Sequence, residues 1–183
     1  MALTNEIIQE RLTQKFGEAL ISWETPYDML TFTAEASINL KVLQYLFDEE
    51  TLGFKFLTDL QAVHYPDNAG KELAVVYHLH NLMDNVRIRF KVFVPSAKPD
   101  VFSATALYES ANFMERETYD FYGVNFLGHP NLIRILNVDE MDYFPMRKEF
   151  PLEDQTRIDK DDEMFGRSSS LKQGAAFQAK IDN

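Results

Sequence analysis

The chain has 183 residues, 45% of them hydrophobic and 13% aromatic, enough for one sizeable core and an extension but not for two large domains. Its formal net charge of -11 excludes a nucleic-acid surface, which needs a basic patch to displace phosphate counterions, and opposes direct contact with anionic lipid headgroups. Cysteine is absent, so disulfides, thiolate-bound zinc, cysteine nucleophiles and all-thiolate iron–sulfur clusters are excluded together.

The start, MALTNEIIQERL, is acidic and amphipathic rather than a basic leader with an apolar stretch, and no apolar run approaches the roughly 20 residues that cross a bilayer. A cytosolic protein without a removable address is expected. Asn5 to Phe16 sets Ile7, Ile8, Leu12 and Phe16 on one face at helical spacing, behind Thr4 as N-cap and ahead of Gly17 as a stop. After a turn at Pro26, Met29 to Thr33 alternates like a half-buried strand. Ser37 then opens a second helix with Leu40, Leu43, Leu46 and Phe47 on one side, closed by Gly53.

Phe54 to Leu57 and Leu60 to Tyr65 read as strand material interrupted by Asp59. Leu73 to His80 and Val86 to Val94 are two β-branched and aromatic runs joined by a hairpin turn over Asn81 to Asn85. Pro95 to Pro99 is a short connection. From Ser103 the chain turns helical again, with Leu107, Phe113 and Phe121 in phase up to Gly123. Beyond Gly123 the period is lost, and Pro130, Pro145 and Pro151 break any long element, which predicts extended, docked chain. From Glu153 charged and small residues dominate, a tail that cannot hold itself in place by burial.

The densest polar cluster is Glu115-Arg116-Glu117-Thr118-Tyr119-Asp120, in the last turns of the third helix. Glu117 and Asp120, three apart, share a face with Phe113 and Phe121, and they repel unless cations meet them. Arg134, Arg147 and Lys148 supply those cations, in a charge network where the extended segment folds back on this helix or both grip a partner. The competing reading, a paired-carboxylate hydrolase site, lacks a nucleophile and a cleft signal. His78 and His80 share a strand face and would suit a metal, but no third ligand is in sight; His64 and His129 read as loop imidazoles satisfied by backbone. Gly123 to Gly128 has the spacing of a phosphate loop, yet His129-Pro130 follows in place of Lys-Ser/Thr. Tyr119-Phe121-Tyr122 and Tyr143-Phe144 read as core or interface anchors, with a quinone-contacting surface as the alternative.

Three ordered blocks carry a resemblance. The first is Glu115-Arg116-Glu117-Thr118-Tyr119-Asp120-Phe121-Tyr122-Gly123. The second is Phe126 with Gly128-His129-Pro130, Leu132 and Arg134-Ile135-Leu136; the third is Pro145-Met146-Arg147-Lys148-Glu149-Phe150-Pro151-Leu152. Together they resemble the C-subunit family (the 30 kDa subunit family) of proton-pumping NADH-quinone oxidoreductase, respiratory complex I, and the likeness extends over about residues 30–152. Departures are mild: Met146 for the family's usual Leu, Glu149 and His64 for Asp, and Phe113-Met114 for a Trp-Tyr pair.

The expected fold is α+β, a mixed β-sheet with helices packed on one face, followed by an extended C-terminal segment that wraps a partner. The expected division is a globular domain, 1–123, and a partner-clasping segment with polar tail, 124–183. The resemblance implies a cofactor-free structural subunit of the peripheral arm, with no catalytic, cofactor-binding or metal residues and with FMN and iron–sulfur clusters in other subunits. It implies the quinone-site D subunit of complex I as main contact, the B and I subunits nearby, and a peripheral place on the cytoplasmic side of the bacterial inner membrane. The interface residues are expected to be Glu115, Arg116, Glu117, Asp120, His129, Pro130, Arg134, Arg147, Lys148 and Phe150.

Overall fold

The structure, a computed structural model, describes residues 3–150, and these form one compact unit. The first helix, α1 (Asn5–Phe16), has the expected bounds. The Thr4 side chain accepts the Ile7 N–H at 3.5 Å, and Ile8 and Leu12 are fully buried, so cap and apolar stripe fix the same element. A short strand follows, β1 (Leu20–Glu24), where no strand was expected. Its five residues lie at a sheet edge with no clean alternation of exposure, so no period betrays it.

A tight turn with Tyr27 and Asp28 at positive φ leads into β2 (Leu30–Ala34). Here the expectation of a half-buried strand fails: all five residues of β2 are buried, because it runs between β1 and a later strand, β5 (Val86–Val94). The second helix, α2, spans Asn39–Asp48; a 3-10 turn over Ala36–Ile38 occupies the place where Ser37 was to open it. The strand interrupted at Asp59 is instead one continuous strand, β3 (Phe56–His64), with a bulge between Leu57 and Asp59. With β4 (Leu73–Asn81) and β5 it forms three antiparallel rungs of nine residues each.

The sheet order is β1-β2-β5-β4-β3, with β2 and β5 parallel and every other pair antiparallel. One apolar core joins Ile8 and Leu12 of α1 and Val42, Leu43 and Leu46 of α2 to Phe32, Tyr77, Leu79, Phe90 and Val92 of the sheet. Phe90 stacks between Phe32 and Tyr77, with ring centroids 4.9 and 5.4 Å away. Each such large side chain removed from water contributes roughly 1.5–3 kcal/mol. The other face of β5 carries Arg87, Arg89 and Lys91, so the fold is the expected α+β arrangement on a mixed sheet.

The third helix, α3 (Ala111–Tyr122), begins eight residues later than expected. Residues 103–110 are turns, fastened by Tyr108 Oη donating to the Phe54 carbonyl at 2.8 Å. Two three-residue strands, β6 (Asp100–Phe102) and β7 (Asn125–Leu127), pair in parallel on either side of α3. They were not expected, since their pairing is set by the helix crossover and not by their own residues. The division at residue 123 also fails, because 124–150 packs into the same unit as the rest. The polar tail lies outside the described residues.

Candidate functional site

The C-terminal end of α3 and the strap that follows β7, residues 128–150, make the densest polar assembly of the described chain. At Gly123, φ is +75°, a left-handed cap, and a Cβ there would overlap the ring of Phe144. That contact turns the strap back across the helix end. Met146 N–H donates to the Phe121 carbonyl at 3.1 Å and Arg147 Nε to the Tyr122 carbonyl at 2.8 Å, so the strap satisfies carbonyls the helix leaves open.

Asp120 is fully buried at the centre. Its carboxylate accepts five donors: Arg134 Nη1 at 2.7 Å, Asn137 Nδ2 at 3.0 Å, and the backbone N–H groups of Ile135, Leu136 and Asn137 at 3.1, 2.8 and 2.9 Å. Burial works against its charge, but the Asn137 and Leu136 N–H groups, with Arg134 and Asn137 side chains, outweigh it and hold the carboxyl well below the usual range. Arg134 spends its other donors on the carbonyls of Asp120, Met141 and Tyr143 at 2.9, 2.7 and 3.0 Å. The Phe144 ring sits between two guanidinium groups, 5.2 Å from Arg134 and 4.9 Å from Arg147.

The residues expected to form one interface divide into several environments. Arg116 donates Nε to the Ile133 carbonyl at 3.2 Å and Nη2 to the Arg134 carbonyl at 3.3 Å. His129 donates Nε2–H to the Asn112 carbonyl at 3.1 Å and accepts the Asn131 N–H on Nδ1 at 3.0 Å, which fixes its tautomer; Pro130 beside it is exposed. Glu117 and Asp120 do not share an environment: the Glu117 side chain is exposed and makes no hydrogen bond or ion pair among the described residues. Lys148 joins through its backbone N–H, donated to His64 Nδ1 at 2.9 Å, while its side chain is exposed. Phe150 packs on Tyr143 with centroids 4.9 Å apart.

Glu115 lies inside the domain, fully buried, and accepts Ser103 Oγ at 2.7 Å and the Ala104 N–H at 2.6 Å. Desolvation raises its pKa to about 7 against those two hydrogen bonds. Its carboxylate therefore ties α3 to the preceding turns. Reading the sequence missed Asn137, which gives Asp120 two donors, and it named Phe144 as a core or interface anchor without the two arginines that face it. Asn137 directly follows the Arg134-Ile135-Leu136 block, so its place in the run was its only signal.

The two strand histidines are engaged within the chain. His78 Nε2 accepts Arg89 Nε at 2.8 Å and its Nδ1 lies 3.3 Å from the Asp59 carboxylate. Burial and the Arg89 charge lower its pKa, against Asp59. His80 Nε2 meets Asn85 Oδ1 at 3.0 Å. No group of three or more metal-ligating side chains occurs among the described residues, and no described helix is long and apolar enough to cross a membrane. The arrangement can bind and fasten, and the hydroxyl set against a carboxylate in it, Ser103 on Glu115, is buried inside the domain.

Facing outward from the fastened strap are apolar side chains: Ile133, Leu136, Val138, Tyr143, Met146 and Phe150 are between 37% and 64% exposed. A profile of the family described as "Respiratory-chain NADH dehydrogenase, 30 Kd subunit" matches residues 32–156, and so includes α3 and the whole described strap. The chain belongs to that family. Within it, the C subunit of the NADH-quinone oxidoreductase of Methylorubrum populi is 39% identical over 155 residues, 84% of this chain and 70% of that protein. The corresponding C subunit of Citrifermentans bemidjiense is 39% identical over 147 residues, 80% of this chain and 89% of its own. That of Nocardioides sp. is 45% identical over 123 residues, 67% of this chain, and the match spans 49% of that longer relative. Among solved structures, the trypsin-resistant fragment 1–134 of Nqo5 superimposes with a TM-score of 0.59 at 30% identity, covering 68% of this chain and 98% of the fragment. A chain of an archaeal membrane-bound sulfane sulfur reductase shares the fold, with a TM-score of 0.68 at 24% identity over 86% of this chain and 96% of that one.

Proposed function

We infer that this chain is a cofactor-free structural subunit of the peripheral arm of a NADH-quinone oxidoreductase, in which its strap docks on a neighbouring subunit and the flavin and iron–sulfur chemistry belongs to other chains. The carrying observation is the inverted polarity of the strap. Its donors and acceptors are spent inward on α3, while Ile133, Leu136, Val138 and Met146 stay more than half exposed. A segment so well fastened has no folding reason to present an apolar outer surface, and such a surface marks a protein–protein contact. The D subunit, which forms the quinone site, is the partner this reading assigns to it, with the B and I subunits beside it. The chain then sits peripherally on the cytoplasmic side of a bacterial inner membrane, held through the complex. Absence of cysteine supports a chain that carries no thiolate-bound cluster of its own.

The test is Leu136→Asp with Val138→Asp in the intact organism. Both side chains are 64% exposed, and an unchanged melting temperature of the purified variant verifies that the subunit still folds. A structural role requires the amount of assembled complex on a native gel to fall at least severalfold while quinone-reductase activity per assembled complex is unchanged. Full assembly with lost turnover would place the strap in the chemistry instead.

A further inference from the structure

Away from the strap, a cleft of about 770 Å³ opens between the C-terminal end of α1 and the outer side of α2. Pockets that take a ligand or an anchoring side chain run to roughly 300–1,000 Å³. Its apolar walls are Phe16, Leu40, Tyr45 and Phe102, with Phe16 and Tyr45 meeting edge to face at 5.7 Å. Phe102 is 42% exposed although its backbone is locked from both sides. The fully buried Asn39 donates Nδ2 to the Phe102 carbonyl at 2.8 Å and accepts the Phe102 N–H on Oδ1 at 3.3 Å. An exposed ring on an immobilised backbone is a preorganised wall, ready to bind at little ordering cost.

Two cations stand at this cleft, Lys15 and Lys41, and neither forms an ion pair among the described residues. Lys15 Nζ lies 5.6 Å from the Tyr45 ring centroid. The rim also carries one acid, Asp48, whose carboxylate accepts the Gln44 side-chain amide and keeps its charge, so two cations face a single carboxylate. In a chain with 29 acidic and 18 basic residues, two cations that form no ion pair among the described residues, against one acid beside an apolar hollow, favour an occupant that is apolar and negatively charged. Lys41 and Gln44 are exposed along α2, so the cleft runs open beside the helix and suits a chain lying along it.

We propose that this cleft is a docking groove for a segment of a partner protein, which seats an apolar side chain against Phe16, Tyr45 and Phe102 and sets carboxylates on Lys15 and Lys41. The partner is sought inside the oxidoreductase, and to that extent the proposal rests on the functional reading above. The groove is separate from the strap, so it marks a second contact.

The experiment places a photo-crosslinking residue at Ser37 of the full chain, exposed on the groove's rim, and irradiates native membranes. The expected result is an adduct with an acidic, apolar-flanked segment of another subunit. Its yield falls at least tenfold in the Lys15→Glu, Lys41→Glu double variant and returns when the partner's own carboxylates are changed to Lys. Both lysines are exposed, and an unchanged melting temperature verifies the fold; should it fall, Lys15→Gln with Lys41→Gln replaces the reversal and must cut the yield severalfold. An adduct indifferent to these charges, an adduct only with a second copy of this chain, saturable binding of laurate without a protein adduct, or no adduct at all each overturns the proposal. Migration of the chain on a native gel is read in parallel. A chain in a large complex that gives no adduct overturns the groove alone, whereas an adduct from a chain outside any large complex overturns the functional reading alone.

Discussion

Glu115 and Asp120 lie five residues apart on α3, both fully buried, and meet opposite fates. Asp120 finds five donors, Glu115 only two, and the balance between desolvation and hydrogen bonding reverses sign between them. For Glu115 the folded pKa of about 7 stands above the usual 4.5. The folded state therefore holds the proton more tightly, and the contribution is present below pH 4.5 and lost as pH rises towards 7. The loss is about 3 kcal/mol on the linkage relation. Glu115→Gln keeps an acceptor for Ala104 N–H and cannot ionise, so urea unfolding of the variant between pH 5 and about 8 should lack this decline and exceed the native chain at the upper end. Equal slopes for both chains would show that Glu115 does not titrate in this window. Asp120 acts the other way: its depressed pKa stabilises the fold above the usual carboxylate range and is lost as pH falls below it. Removing one partner of its buried ion pair, Asp120→Asn or Arg134→Gln, should cost about 3–5 kcal/mol, because the other charge is left unmatched. The double variant should cost less than the sum, read as a coupling energy of roughly 1 kcal/mol or more in the cycle. Strict additivity would mean that the pair is energetically idle.

At the scale of elements, the strap is held by a geometric condition at one residue. Gly123 must be left-handed to end α3, and its missing side chain is the space in which the Phe144 ring lies. Gly123→Ala should therefore cost more than the roughly 1–2 kcal/mol of a left-handed alanine. The loss should fall on the strap and not on the sheet. Amide exchange at Ile135, Leu136 and Asn137, whose N–H groups now point at Asp120, should speed up by an order of magnitude or more while β4 and β5 stay protected. Uniform acceleration across the sheet would mean that strap and core open as one unit.

Over the whole molecule, a formal charge of -11 keeps the chain soluble although the strap turns an apolar row outward. Purified without partners, the chain should bind an environment-sensitive apolar dye and self-associate more as salt screens that charge. Ile133→Asp with Leu136→Asp should abolish most of both effects without changing far-ultraviolet dichroism, since these side chains are 51% and 64% exposed. Dye binding that survives this change would move the sticky surface elsewhere on the molecule.

What the sequence by itself determined is what local chemistry settles. The cap and stripe of α1, the β-branched runs of β4 and β5, the Gly123 stop, the exclusions that follow from missing cysteine, and the three ordered blocks that mark the family all rest on neighbouring residues. The Asp120–Arg134 pairing was among the combinations the charge cluster allowed, because a carboxylate at a helix end needs a cation and the strap supplied three. Only the tertiary structure decided that β2 is buried on both sides, that β1, β6 and β7 exist, that a bulge rather than a break accommodates Asp59, and that Glu115 turns inward while Glu117 turns out. These features come from pairing and packing between distant segments. Two carboxylates two residues apart have the same local chemistry, and only the Ser103–Ala104 turn arriving against one face of α3 makes one of them a buried acceptor and leaves the other in water.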